Sequence, residues 1–132
     1  MAKAEGRIFK FESEENILTS LLEVFPYEGR PQFITYDTSE FSCVCPFSGL
    51  PDFGKLVIEY IPNHYCVELK SLKYYLVSYR QVGIYQEKAT SRLFEDLEKV
   101  LKPVYLKVTT IYNTRGGINA SCFIEKGNRK PE

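Results

Sequence analysis

The sequence lacks the features of several large protein classes. Its 132 residues include no tryptophan, and 17 basic side chains balance 17 acidic ones, so the formal net charge is zero. Without an excess of positive charge, nucleic acid is not expected as a direct partner. A chain of this length is expected to form one domain over residues 1–132, with no room for a separate cofactor-binding domain.

Long apolar runs are also missing. No segment approaches the roughly 18 consecutive apolar residues of a membrane span, and the first residues lack the apolar stretch of a secretion signal. We therefore expect a cytoplasmic protein without membrane association. Its four cysteines should stay reduced there, as a nucleophile, metal ligands or core residues: Cys43, Cys45, Cys66 and Cys122.

Two familiar nucleotide-binding motifs do not occur. The chain has neither a G-x-G-x-x-G segment nor a G-x-x-x-x-G-K-[ST] loop. Any nucleotide must therefore be held outside the Rossmann and P-loop schemes.

The chain does contain enough apolar material for a core. Hydrophobic residues make up 44% of it and aromatic residues 14%, which excludes a disordered protein. We expect an ordered core over residues 15–126, between irregular ends. Runs rich in β-branched and aromatic residues predict strands at 32–38, 55–61, 104–112 and 118–125.

Apolar residues at helical spacing predict two consecutive helices. They cover residues 72–79 and 89–101, and the second ends before Pro103. Residues 13–25 fit either a helix or, near residues 21–25, a short strand.

Two turns predict hairpins. The Pro-Asn-His turn after strand 55–61 should return residues 65–67 against that strand, and the Gly-Gly segment in 113–117 should connect the last two strands. This order favours an α+β domain whose antiparallel sheet carries both helices on one face. Because Val57 and Ile61 make the second face of strand 55–61 apolar, we expect a homo-oligomer that buries this face.

The segment 42–54 is a predicted loop with two prolines and two glycines, and reactive groups often lie on such loops. Cys45 could act there as a nucleophile, and Asp52 could return beside it to carry protons. This pair suits covalent catalysis on a nitrile or a carbonyl. A purely structural role for both residues is the alternative.

A zinc site is the main competing interpretation of the same segment. Cys43 and Cys45 could bind a metal together with His64, Cys66 or Cys122, although a C-x-C pair lacks the usual C-x₂₋₄-C spacing. His64 is equally well explained as a turn residue, and the last two cysteines as core residues.

Two further groups could bind ligands. Lys70 and Lys73 lie beside the N-terminal amides of the first helix, which favour a phosphate, and Arg115 could bind the same anion. A solvated basic face is the alternative for the lysines. Glu87 could accept two hydrogen bonds from a guanine-like ring, or could simply favour the dipole of the second helix.

Three segments in order resemble a known family. They are CPFSGLPDF at 45–53, ELKSLKYY at 68–75 and TRGG at 114–117. Together they are similar to the short, single-module NADPH-dependent 7-cyano-7-deazaguanine reductases, the QueF family, over residues 32–125.

The resemblance implies the tunnelling fold, in which α+β subunits assemble into a barrel with active sites between neighbours. It also implies a homodecamer of two stacked pentamers. The implied reaction reduces the nitrile of 7-cyano-7-deazaguanine (preQ0) to 7-aminomethyl-7-deazaguanine (preQ1), in the pathway to the tRNA base queuosine. NADPH is the implied cofactor, and no metal is implied.

The resemblance also assigns roles to individual residues. Cys45 would attack the nitrile carbon to form a thioimide, and Asp52 would protonate the nitrogen. The family's substrate-binding positions correspond to Val67, Glu68, Leu69 and Glu87. Its cofactor-binding positions correspond to Leu69, Lys70, Arg115 and Gly116, with Lys73 as an additional phosphate contact.

One position departs from the family pattern. Gln86 stands where the family has a histidine before the substrate-binding glutamate, and it can still hydrogen-bond to substrate but cannot take up a proton. Three alternatives stay open. They are an amidinotransferase of the same fold acting on a deazaguanine nitrile, a zinc cyclohydrolase of that fold, and a protein that binds a deazapurine without reducing it.

Overall fold

The central element is a four-stranded antiparallel sheet that carries two helices. A computed structural model describes residues 2–130. The sheet order is β2-β3-β5-β6, and a separate two-stranded sheet pairs β1 with β4. The strands are β1 Val24–Pro26, β2 Ile34–Val44, β3 Pro51–Ile61, β4 Tyr65–Val67, β5 Tyr105–Arg115 and β6 Ile118–Gly127. The helices are α1 Leu69–Val77 and α2 Gln86–Leu101.

One face of the large sheet forms the core. Along β3 the buried side chains alternate with more exposed ones, so that Leu56, Ile58 and Tyr60 face inward. α2 packs on β5 and β6, while α1 packs on β2. The α+β class and the position of both helices on one face are therefore confirmed.

The helix boundaries follow from local signals. Glu68 caps α1, since its two carboxylate oxygens accept the amides of Lys70 at 2.8 Å and Ser71 at 2.7 Å. α2 ends at Leu101, and Lys102 caps it with a left-handed φ of 46° just before Pro103. Among residues 2–130, no helix is long and apolar enough to cross a membrane.

Residues 13–25 do not form the longer helix that was one of the two expectations. They form two short 3₁₀ turns, Glu14–Asn16 and Thr19–Leu21, followed by β1. β1 pairs with β4, with Phe25 opposite Cys66. The predicted hairpin of residues 65–67 with β3 is therefore wrong, because β4 takes its hydrogen bonds from a segment about 40 residues earlier in the chain.

The predicted loop over 42–54 is much shorter in the structure. β2 runs through Val44 and β3 begins at Pro51, so only residues 45–50 connect them. The sequence predicted that Pro51 belongs to the loop. Proline is tolerated as the first residue of a strand, and Pro51 begins β3 and pairs with Val44 of β2.

The outer face of the sheet is partly apolar. Phe53, Ile111 and Phe123 are each about half exposed there. Val57 and Ile61 alternate with the core residues of β3; Val57 is half-buried, and Ile61 is already buried within the single chain. The remaining apolar side chains are consistent with a face covered by further copies.

A buried polar network joins the two helices. The Asp96 carboxylate of α2 accepts the Tyr75 hydroxyl at 2.7 Å, the Thr19 hydroxyl at 3.0 Å and the Arg92 guanidinium at 2.9 Å. The Tyr75 hydroxyl also lies 2.8 Å from that of Tyr79. Separate segments of the chain thus depend on one carboxylate.

Asp96→Ala should destabilise the fold by about 2–3 kcal/mol, because it leaves buried hydroxyls and a guanidinium without their acceptor. Urea denaturation at matched protein concentration measures this change. Glu95→Ala, an exposed neighbour with the same charge, should stay within about 0.5 kcal/mol of the original protein. Equal effects of the two substitutions would contradict the role given to Asp96.

Candidate active site

The connection between β2 and β3 places a cysteine in a tightly closed loop. The Cys45 amide donates to the Leu50 carbonyl at 2.8 Å, and the Gly49 amide donates to the Cys45 carbonyl at 2.7 Å. Gly49 has a φ of 74°, and a Cβ there would clash with the Phe9 carbonyl oxygen. Only glycine fits this turn against the N-terminal segment.

The loop favours the thiolate form of Cys45. Partial burial alone would raise its pKa, but hydrogen bonds from the Phe47 and Ser48 amides and the Ser48 hydroxyl bring the pKa of this thiol below its usual value. A thiolate is the nucleophilic form of cysteine. Cys45 therefore meets the chemical requirement for the role expected of it.

Asp52 lies at the same end of the sheet. It is the second residue of β3, and the strand alternation turns its side chain to the buried face, where it is 8% exposed. Burial raises the pKa of its carboxyl group, and the Arg115 guanidinium opposes this rise. A buried carboxyl group with a raised pKa is suited to proton transfer.

Arg115 forms an ion pair with the Asp52 carboxylate. It also donates to the Pro51 carbonyl at 3.0 Å. The β3–β5 register explains this contact. Gly54 pairs with Tyr112, and three residues further toward this end of the sheet Arg115 comes opposite Pro51. In the next turn, Gly116 and Gly117 have φ values of 55° and 76°, which the tight hairpin requires.

Cys43 is a second thiol beside the site. It is fully buried and pairs across the strands with Asp52. Its Sγ lies 3.1 Å from the Tyr112 hydroxyl and 3.6 Å from the Ile84 carbonyl oxygen. Burial is the main reason why the pKa of Cys43 is raised to about 11, so this cysteine is a neutral packing residue.

The zinc interpretation finds no support in this arrangement. Residues 2–130 contain no group of three or more histidine, cysteine or acidic side chains that could hold a metal ion. Cys66 is buried in β4, and Cys122 lies on β6. His64 is in the exposed turn before β4.

The start of α2 is tied to this end of the sheet. The Ile84 amide donates to the Val44 carbonyl at 3.1 Å. This hydrogen bond holds the segment before α2 against the end of β2, and α2 begins two residues later. Gln86 then fixes the helix, since its side-chain amide donates to the carbonyls of Thr110 at 3.3 Å and Ala120 at 3.2 Å. Gln86 was expected to bind substrate, but its side-chain N–H groups donate to backbone carbonyls of the sheet.

Glu87 follows in the first turn of α2 and is exposed. Its charge acts on the Cys122 thiol, whose pKa is raised first by burial and then by Glu87. Tyr85, the residue before the helix, is 58% exposed. An exposed carboxylate beside an exposed ring at the site's end of the sheet can bind a planar heterocycle.

The remaining expected site residues lie at the start of α1. Val67 is buried, and its amide donates to the Tyr60 hydroxyl at 3.2 Å. The amides of Lys70 and Ser71 already donate hydrogen bonds to the Glu68 carboxylate. The expectation that a phosphate binds these amides is therefore wrong, and an anion here would rely on the lysine side chains.

A groove lies between α1 and β2. It has a volume of about 390 Å³ and is bordered by Leu69, Lys73 and Arg80 from the helix side and by Asp37 and Phe41 from β2. Leu69 and Lys73 are both among the expected ligand-binding residues. Exposed positive charges at an apolar groove can hold a phosphorylated ligand.

The chain thus presents two separate groups of site residues. The first, at the end of β2 and β3, contains Cys45, Asp52, Gln86, Glu87 and Arg115. The second, Val67 to Lys73, is at the start of α1. The far end of α1 is the one near the first group, because the Val44 amide donates to the Val82 carbonyl just beyond it. Nine helical residues, about 13 Å, separate the two ends.

Two contributors to the first group were not found from the sequence. Ser48 stabilises the Cys45 thiolate, and the hydroxyl of Tyr112, on β5, contacts the Cys43 thiol. The Ser-Gly pair at 48–49 was a usable turn signal. No sequence signal marked Tyr112, because its contact depends on how two strands more than 60 residues apart are placed in the sheet.

Comparisons with known proteins agree with this geometry. A family model described as QueF-like protein matches residues 51–131. Two relatives, from Thermotoga petrophila and Thermotoga maritima, are each called "NADPH-dependent 7-cyano-7-deazaguanine reductase". Each is 56% identical over 122 residues, which is 92% of this chain and 89% of the relative. A protein of the same name from Caldicellulosiruptor bescii is 50% identical over 119 residues, which cover 89% of this chain and 91% of the relative.

A solved structure gives the same fold. The apo form of the archaeosine synthase QueF-Like superimposes with a TM-score of 0.70 at 26% identity, over 77% of this chain and 100% of that chain. The chain belongs to the class of α+β proteins that share this fold, and it has a thiol and a carboxyl group at one end of its sheet. Within this class, the chain belongs to the QueF family.

Ser48→Ala should raise the pKa of Cys45, because it removes a hydrogen bond that favours the thiolate. The rate of Cys45 alkylation by iodoacetamide at neutral pH should fall, and the midpoint of its pH profile should move upward, as measured by peptide mass spectrometry. Ser48→Thr keeps a hydroxyl and should restore the profile.

Phe47→Ala is the matched control for this prediction. The Phe47 side chain is 80% exposed, and the residue acts on Cys45 through its backbone amide only. This variant should behave like the original protein. An unchanged profile in Ser48→Ala would show that the hydroxyl does not stabilise the thiolate.

Proposed function

We propose that this chain is an NADPH-dependent 7-cyano-7-deazaguanine reductase, which converts the nitrile of preQ0 to the aminomethyl group of preQ1 for queuosine synthesis. The observation that supports this most directly is the placement of Cys45 and Asp52 at one end of the sheet, with a lowered thiol pKa and a raised carboxyl pKa. Relatives at 50–56% identity carry this name.

The first step uses these two residues. The Cys45 sulfur forms a bond to the nitrile carbon, and one π bond of the nitrile breaks. Cys45 has lost its proton before it attacks, and Asp52 delivers a proton to the nitrogen, so that the thioimide forms with no change in total charge. Cys45 follows the end of β2 and Asp52 lies at the start of β3, where its charge acts on the Cys45 thiol.

From the thioimide, reduction to the amine needs two hydrides at carbon and one further proton at nitrogen, and it releases the Cys45 thiolate. NADPH, when bound, supplies the hydrides. Asp52 is the buried carboxyl group placed to deliver protons from solvent to the nitrogen. The Cys45 sulfur leaves the carbon between the two hydride transfers, and its lowered pKa makes it a better leaving group.

Glu87 is the proposed recognition group for the deazaguanine ring. Its exposed carboxylate can accept two N–H groups from the edge of the ring, and Tyr85 can pack on the ring face. Gln86 supports Glu87 by fixing the first turn of α2 to the sheet. Fixing the helix requires only the side-chain amide donor of Gln86. Gln86 can therefore position Glu87 without the proton uptake of which a histidine is capable.

The described residues fit a phosphorylated cofactor. Arg115 is half exposed, with a guanidinium that suits a phosphate. Lys70 and Lys73 are exposed on α1, and Leu69 adds an apolar contact. We propose that these residues and Gly116 hold NADPH, while Val67, Glu68 and Leu69 border the substrate.

The separation of the two groups of site residues supports a site built between neighbouring copies. One copy would supply Cys45, Asp52 and Glu87, and the next would supply the start of α1. The outer edge of β6 and that of β2 before its bulge at 38–41 have no partner strand among the described residues, so copies can pair edge to edge. We propose a barrel of this kind, within a cytoplasmic decamer of two pentamers.

The first test mixes the protein with preQ0, records the intact mass, and then follows NADPH absorbance. We expect a covalent adduct and the loss of two NADPH per substrate. Cys45→Ala should abolish both, whereas Cys66→Ala, which removes a thiol from the other sheet, should retain both.

Other outcomes of this test lead to other functions. An adduct without NADPH oxidation would favour the amidinotransferase or a non-reducing deazapurine-binding protein. The structural neighbour makes the first of these the stronger rival, because that protein is an archaeosine synthase. No adduct at all would exclude Cys45 as the nucleophile.

The assignment of the two ligand groups gives a separate prediction. Glu87→Gln should raise the KM for preQ0 about 10- to 100-fold, because it removes a charged hydrogen-bond acceptor. Lys70→Ala should raise the KM for NADPH about tenfold. Steady-state kinetics with each substrate varied in turn measures both constants.

Lys99→Ala is the control, since this lysine is exposed at the other end of α2 and should change neither constant. If Glu87→Gln affects NADPH and Lys70→Ala affects preQ0, the two sites have been exchanged.

A further inference from the structure

The ion pair between Asp52 and Arg115 joins two very unequally exposed groups. The Asp52 side chain is 11% exposed, whereas that of Arg115 is 54% exposed. The carboxylate is fixed by its place in β3. The guanidinium extends from the end of a hairpin strand and is held otherwise only by the Pro51 carbonyl among the described residues. Arg115 is therefore the partner that can leave.

Few other groups can balance a charge on Asp52. Cys43 faces it from β2, Cys45 from the loop and Tyr112 from β5. Burial keeps Cys43 and Tyr112 in their neutral forms by raising their pKa values, and a Cys45 thiolate would add negative charge. The positive charge that balances the Asp52 carboxylate is that of Arg115.

We propose that Arg115 exchanges partners. It pairs with the Asp52 carboxylate in the free protein and with a phosphate of the bound dinucleotide in the complex, and this exchange makes Asp52 take up a proton from solvent. The inference rests on the proposed function, because the dinucleotide is its cofactor.

The physical basis is competition between two anions for one guanidinium. Carboxylate and phosphate both accept the paired N–H groups of arginine. When the phosphate takes them, Asp52 becomes a buried carboxylate without a counter-charge, and such a group binds a proton. The carboxyl group would thus be protonated when the hydride donor is in place, which is when the substrate nitrogen needs protons.

The first experiment tests Arg115 in the free protein. The chain has only three aspartates, Asp37, Asp52 and Asp96, so infrared spectra of protein labelled with ¹³C-aspartate resolve few carboxyl bands, and Asp52→Asn assigns the band of interest. The titration midpoint of Asp52 should be higher in Arg115→Gln than in the original protein. Arg115→Lys keeps the charge and should stay nearer to the original value.

Lys126→Gln is the charge-matched control, because it removes a positive charge from the opposite end of the β5–β6 hairpin. It should leave the Asp52 midpoint unchanged. An identical midpoint in Arg115→Gln and the original protein would overturn the proposal. Circular dichroism confirms that each variant is folded.

The second experiment uses NADP⁺, which binds without reducing anything. Calorimetry in two buffers of different ionisation enthalpy gives the number of protons taken up on binding. The original protein should take up more protons near neutral pH than Asp52→Asn does. Equal uptake by the two proteins would overturn the partner exchange.

The two experiments separate this inference from the proposed function. If NADP⁺ does not bind, the proposed function fails and the exchange with it. The comparison in the free protein still decides whether Arg115 controls the protonation of Asp52.

Discussion

The register between β2 and β3 is the constraint on which the site depends. Cys43 pairs with Asp52 and Val44 with Pro51, and the loop 45–50 is closed by the Cys45–Leu50 hydrogen bond. A slip by one residue would turn Asp52 to the outer face and away from the thiol. The long inward-facing apolar series of β3 prevents this slip, because the slip would move its buried side chains, such as Leu56, to the outer face.

Burial and local hydrogen bonding then give neighbouring groups opposite properties. Cys43 and Cys45 are two residues apart, yet the first is buried with a raised pKa and the second is bound by loop amides with a lowered one. The pKa of Asp52 is raised by burial and held back by Arg115. One small region thus contains a thiol with a lowered pKa, a thiol with a raised pKa and a carboxyl group with a raised pKa.

A single chain nevertheless holds the expected site residues in two places. One group lies at the end of β2 and the start of β3, whereas the other lies at the start of α1, the far end of a helix about 13 Å long. The exposed apolar side chains of the outer face, and the strand edges without a partner among the described residues, agree with the proposed assembly in the same way as this separation does.

Local patterns in the sequence determined most of the elements and the identity of the reactive groups. Helical spacing predicted α1 and α2, and runs rich in β-branched and aromatic residues predicted the four long strands. Cys45, Asp52 and Glu87 stood out because their chemistry is local to each side chain. Only the tertiary structure decided that β4 pairs with β1, that Glu68 fills the amides expected to bind phosphate, and that Arg115 meets Asp52. These contacts join residues whose approach is set by strand pairing and capping geometry, and spacing along the chain carries no information about either.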